Sequence, residues 1–124
     1  MKPNDTLLLA LRPEVPTEPA QNPAEHFQNT TLRPILKFLH ERIVALFAHH
    51  LHKRKVDLQK MDVPDRKKYV LQAFQKDQAL RNQLVGCALG LLTEAEWAVF
   101  VASERELSRR LHDLLIERIK STLN

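Results

Sequence analysis

Glycine is nearly absent from this chain, with two in 124 residues, and there is a single tyrosine and few β-branched side chains. Strands and their tight turns need both, so the composition argues against a sheet. Cysteine occurs once, at Cys87, so no intrachain disulfide can form and redox compartment is not encoded. The longest apolar runs, residues 7–11 and 87–92, fall far short of a membrane span. Lys2 followed by Leu-Leu-Leu-Ala-Leu imitates a secretory leader, but the apolar part is short and no small-residue cleavage site follows. The expectation is a cytoplasmic protein without membrane association. Catalytic signatures are missing too. His40-Glu41 lacks the second histidine of a zinc-protease motif, and no Glu-x-x-His pair offers a di-iron site. Neither a glycine-rich phosphate loop nor a Ser-His-Asp set can be assembled, and Cys87 has no cation on its own helix face to activate it. No metal or cofactor is expected.

What is present is the make-up of one globular domain, 44% hydrophobic and 27% charged. Four of the seven prolines fall in residues 1–22. That segment reads as a Pro-rich, partly disordered N-terminal arm, with a helical turn or two over residues 6–12 whose leucines dock on the body or on a second subunit. Residues 23–124 read as a helical domain. Asn22-Pro23-Ala24-Glu25 is a cap, a proline at the first helical position and a capping glutamate, opening a short helix to about Gln28. Thr30 or Thr31 then caps a first long helix, in which Pro34 is tolerated near the start. Its apolar stripe is Leu32, Ile35, Leu36, Leu39, Ile43, Leu46 and Phe47, and it ends near Arg54. A second long helix runs from a cap at Asp62 to Ala88, with Gly90 as its stop. Thr93-Glu94-Ala95-Glu96 is a capping box for a third, which reaches about Thr122. Short connections make neighbours antiparallel, so the fold expected is all-α: an up-down bundle of three long helices plus a short N-terminal helix.

Two polar layers interrupt the apolar stripes. Wound at about 100° per residue, Asp77 and Arg81 fall close to the stripe centre of the second helix. Level counting at ~1.5 Å per residue brings Glu104 of the third helix to the same height. Arg81 held between Asp77 and Glu104 would satisfy charges that burial otherwise penalises. The preferred reading is a structural ion-pair network, and the rival is an anion-binding or acid–base pocket. A second layer places His50 at the centre of the first stripe, with His112 and Tyr69 near it; a lone histidine on an apolar face is more often a core residue than a ligand. Gly86 and Gly90 turn away from the stripe and offer a close-contact surface for the N-terminal helix or a second subunit.

The segments 27–37, FQNTTLRPILK, and 76–93, KDQALRNQLVGCALGLLT, resemble a family of small, uncharacterised bacterial helical proteins, some of which carry a glyoxalase-type label. The resemblance covers most of residues 23–120 and implies an α-helical fold with no established activity. It draws attention to Asn29, Arg33, Asp77, Arg81 and Asn82. The label finds no support in these residues, because that chemistry usually uses a β-rich metal scaffold.

The net charge of +4 is uneven: residues 1–28 carry two basic and four acidic side chains, leaving residues 29–124 at +6. Basic residues concentrate between Lys53 and Lys68 at one end of the molecule, where an acidic partner could bind. No aromatics interleave them, so nucleic acid is disfavoured as a partner. The function expected is non-enzymatic: a cytoplasmic interaction or structural protein that self-associates as a dimer. The alternative is a binder of an anionic small molecule, or an enzyme, using Asp77, Arg81, Glu104, His50 and Arg33. A weak nucleic-acid binder through residues 53–68 is the third reading.

Overall fold

The computed structural model describes residues 2–124, in which every regular element is helical and no strand occurs. Helix α1 spans Pro3–Ala10, so the helical turns expected over residues 6–12 begin three residues earlier. Helix α2, Pro23–Phe27, starts as the sequence indicates, with the Asn22 side chain accepting from Glu25 N–H at 2.8 Å. The chain does not restart at Thr30 or Thr31. It passes through one widened, π-helical turn at Gln28–Leu32 into α3, Arg33–Phe38. Pro34 explains the widening. It has no N–H to return to the Thr30 carbonyl, and its ring would press on that carbonyl in a regular turn. Thr30 Oγ1 instead donates back to His26 O at 2.8 Å.

Each of the three expected long helices is interrupted. The first breaks at Leu39, before α4, His40–Arg54. It closes on Lys55 in the left-handed conformation (φ 56°), with Val56 N–H bonded back to Leu51 O at 3.0 Å. A short 3₁₀ turn at Leu58–Lys60 leads to α5, Val63–Lys76, capped by Asp62. The second break is at Asp77, whose extended backbone (φ −97°, ψ 92°) separates α5 from α6, Gln78–Leu89. The third is at Ser103, between α7, Glu94–Ala102, and α8, Glu104–Lys120. The Thr93–Glu96 capping box forms at the start of α7. Gly90 ends α6 in a right-handed conformation (φ −65°), not the left-handed one a glycine stop exploits.

Helix α8 contacts α4, α5, α6 and α7, and the core gathers along it. Leu107, Leu111, Leu115 and Ile119, at helical spacing, meet Leu36 and Ile43 of the first rod, Val70 and Phe74 of α5, and Leu84 and Ala88 of α6 in one continuous cluster. The N-terminal segment lies against the start of α7. Asp5 Oδ1 accepts from Glu94 N–H at 3.2 Å, and Lys2 pairs with Glu94 at 3.4 Å. Arg12 makes a bidentate pair with Glu96 (2.5 and 2.6 Å) and also donates to Leu91 O at 3.1 Å. Gly86 faces open space, so the expected cover by the short helix, α2, is not formed there, and α1 does not supply it.

Candidate functional site

Asp77 is the pivot, for a reason that periodicity hides. An aspartate is a good helix cap, and here its Oδ1 accepts from Leu80 N–H at 3.1 Å, opening α6. Arg81, one turn on, reaches back across the break. Its Nη1 donates to Phe74 O (3.0 Å) and Gln75 O (3.2 Å), carbonyls that the end of α5 leaves without helical partners. Asp77 and Arg81 therefore cap the two sides of one break and do not pair with each other. Glu104 is exposed at the first position of α8 and forms no ion pair among the described residues. The expected Asp77–Arg81–Glu104 layer is thus corrected: winding both residues on one helix placed them on a stripe that the chain does not follow. Arg33 is also elsewhere, bonded to Asn29 Oδ1 at 3.1 Å. Of the expected set, the structure brings together Asp77 and His50.

His50, buried on α4, places Nδ1 3.1 Å from Asp77 Oδ2 and Nε2 3.0 Å from the Tyr69 hydroxyl of α5. Phe47 stacks on the ring at a centroid distance of 5.7 Å and an interplanar angle of 18°. Ionised Asp77 only accepts, so the Nδ1 proton belongs to His50, and in the neutral ring Nε2 accepts from Tyr69 O–H. Arg54, one turn beyond His50, donates from Nη2 to the same Asp77 oxygen at 2.9 Å. Burial is the main influence on His50 and lowers its pKa. Asp77 opposes that, Arg54 reinforces it, and the net direction is below 6.5. Burial likewise pushes the Tyr69 phenol up. Asp77 is held below the usual carboxylate range, first by the Leu80 N–H and then, against some burial, by Arg54 and His50. At neutral pH the row is therefore a neutral phenol, a neutral imidazole, a carboxylate and a guanidinium.

Two open clefts share this row. One, of about 380 Å³, is lined by His49, Lys53 and Gln83 together with His50, Arg54 and Asp77. The other, of about 280 Å³, is lined by Tyr69, Gln72 and Lys76 together with the same His50, Arg54 and Asp77. Lys53, Arg54 and Lys76 surround a single carboxylate, so the groove over the α5–α6 break is net cationic. His112 does not join it. Its ring meets Phe74 edge-on at 5.5 Å, and burial, then the Arg81 charge, lowers its pKa. No group of three potential metal ligands converges among the described residues.

Arg54 was absent from the expected set, although it falls four residues after His50 and so on the same helix face. The Arg12–Glu96 pair, 84 residues apart, leaves no periodic trace in the sequence. Within the basic stretch, Arg54 is committed to Asp77. Arg66 donates to Leu58 O, Met61 O and Leu123 O, which leaves lysines as the free charge of that end. No family model matches the chain, and neither a curated protein nor a solved structure does.

Proposed function

We propose that this protein binds a small anionic molecule in the groove over the α5–α6 break, and that His50 is the group through which a proton is exchanged there. In this reading the three interrupted rods form an up-down bundle, and the break at Asp77 is where it opens. The observation that supports it is the shared floor of the two clefts: a buried histidine fixed by Asp77 and Tyr69, with Lys53, Arg54 and Lys76 around it. A carboxylate that fixes the tautomer and a pKa lowered by burial are what a general base near neutrality requires. Tyr69, whose O–H donates to Nε2, is the relay through which a proton taken from a ligand would reach His50.

A titration of the full chain with succinate and with inorganic phosphate, followed on the backbone amides of residues 77–80 at low ionic strength, tests the reading. Saturable shifts are expected, and they should weaken in a Lys53→Gln, Lys76→Gln variant. No saturable shift with either probe, or the same shifts in the variant, refutes it.

A second reading, self-association, is favoured by a different observation. Trp97, Val99 and Val101 on α7 are about half exposed (47%, 50% and 48%), and Leu7 on α1 is 67% exposed. Trp97 and Val101 share a helix face, and an apolar face of this kind is covered in a dimer of two such chains.

A further inference from the structure

A second basic cluster lies at the other end of α4. His40 and Arg54 are 14 residues apart on that helix, which separates the two ends by about 21 Å. Arg118, in the last turn of α8, is partly buried, and its Nη1 is 3.2 Å from His40 Nδ1. A guanidinium only donates, so Nδ1 accepts and neutral His40 carries its proton on Nε2. That contact occupies one of five N–H donors of Arg118. Lys37 Nζ bonds only to a backbone carbonyl, Glu14 O, at 3.2 Å. None of Arg33, Lys37 and Arg118 forms an ion pair among the described residues, and the one carboxylate of the cleft, Glu41, is exposed and pairs with none of them. Burial, and after it the like charge of Arg33, makes the protonated guanidinium of Arg118 less favourable than it is in water. A bound anion relieves both pressures. The cleft, of about 490 Å³, is lined by Phe38, a residue that is 45% exposed.

We propose that this cleft binds a phosphate monoester carried on a planar ring, with Arg118 and Lys37 on the phosphoryl oxygens and the ring against Phe38. A guanidinium fork matches two phosphoryl oxygens at once, and a compact ammonium complements it as a point charge. A phosphate monoester carries about −1.5 to −2 at neutral pH, and Arg118 and Lys37, even with the exposed Glu41 beside them, leave the cleft cationic toward it. His40 Nε2–H is a third donor in the same cleft. Phe38 has no other exposed role in the fold, and an aromatic ring beside a phosphate pocket supplies the stacking surface that a planar substituent uses.

The site is independent of the groove at Asp77, so the two can be tested apart. The full chain is titrated with phenyl phosphate, inorganic phosphate and phenol at low ionic strength, with amide shifts as the readout. Saturable shifts are expected at residues 37–41 and at Arg118, with phenyl phosphate binding more tightly than inorganic phosphate and phenol not binding. Arg118→Gln should weaken phenyl phosphate about tenfold or more, the loss of a charge-assisted pair. Phe38→Leu should erase the preference for phenyl phosphate, and His50→Gln, outside this cleft, should leave the shifts at residues 37–41 and Arg118 unchanged. Should Arg118→Gln prove unfolded by circular dichroism, Lys37→Gln, which alters an exposed side chain, carries the same test. The proposal is overturned by an absence of saturable shifts, by unaltered affinity in these charge variants, by equal affinity for the two phosphates, or by shifts confined to residues 77–80.

Discussion

Arg12→Met tests how the N-terminal segment is held. Arg12 and Glu96 retain 9% and 17% of their side-chain exposure, and the pair is bidentate. Glu96 is also the capping residue of α7, accepting from Thr93 N–H at 2.8 Å. Removing the guanidinium leaves a nearly buried carboxylate with backbone and hydroxyl partners alone. Breaking a buried pair from one side costs roughly 3–5 kcal/mol, and the residual exposure of Glu96 brings the expectation just below that range, to about 2–3 kcal/mol. For a chain of this size that is a fall in Tm of about 6–15 °C. The pH dependence distinguishes this from a loss of packing. In the native protein burial opposes ionisation of Glu96, but Arg12 and the Thr93 N–H outweigh it and hold the carboxyl below its ordinary 4.5. Its stabilising contribution is therefore present above pH 4.5 and lost as pH falls through the lowered value. Without Arg12, burial is opposed only by Thr93 and by a long bond from Thr31 Oγ1 (3.4 Å), and acid relieves the variant of its unpaired charge. The deficit of Arg12→Met relative to the native chain should thus be larger at pH 7 than at pH 4, in urea melts followed by circular dichroism. A deficit below about 0.5 kcal/mol at pH 7, or one independent of pH, would show that the pair contributes no more than an ordinary surface ion pair.

Asp77→Asn should retain much of the α6 cap while removing the charge that supports His50, so the His50 pKa should fall further below 6.5, read from imidazole proton shifts; a rise would contradict the assigned contacts. For the native chain the lowered His50 pKa means that its unfolded form takes up a proton first, so stability should be level above pH 6.5 and decline as pH drops beneath it. Gly86→Ala, at a helical position where a Cβ meets nothing within 4 Å, should stabilise by about 0.5–1 kcal/mol. A destabilised, more monomeric Gly86→Ala would instead place that face in a subunit contact. Trp97 is the only tryptophan, so its emission should shift to shorter wavelength as concentration rises if α7 is the dimer face, and Trp97→Glu should sediment as a monomer at every concentration; concentration-independent spectra would remove the self-association reading.

The helical content and several caps were legible because their signals are local. Asn22, Asp62 and the Thr93–Glu96 box act within three residues, and each forms as its spacing indicates. The breaks at Leu39, Asp77 and Ser103 were not legible as breaks. None carries a glycine or proline at the pivot, and the apolar positions run on across them. At Asp77 the same side chain fits a helix interior or a cap, and tertiary contact with His50 and Arg54 accompanies the second choice. His50 was recognisable as an anomaly on its stripe. Its partners Asp77 and Arg54 could not be assigned without knowing how α6 departs from α5. Arg12 and Glu96 illustrate the limit, since nothing within either neighbourhood names the other.

That same pairing orders events during synthesis. Glu96 follows Arg12 by 84 residues, which at about 5–20 residues per second of synthesis is roughly 4–17 s. Throughout that interval the Arg12 guanidinium has no carboxylate to close on, and the Pro13–Pro19 run beyond it keeps the segment from joining α2 as one helix. The segment that carries Arg12 is thus fastened only once the residues of α2 to α6 have been made, so its attachment depends on structure formed far along the chain.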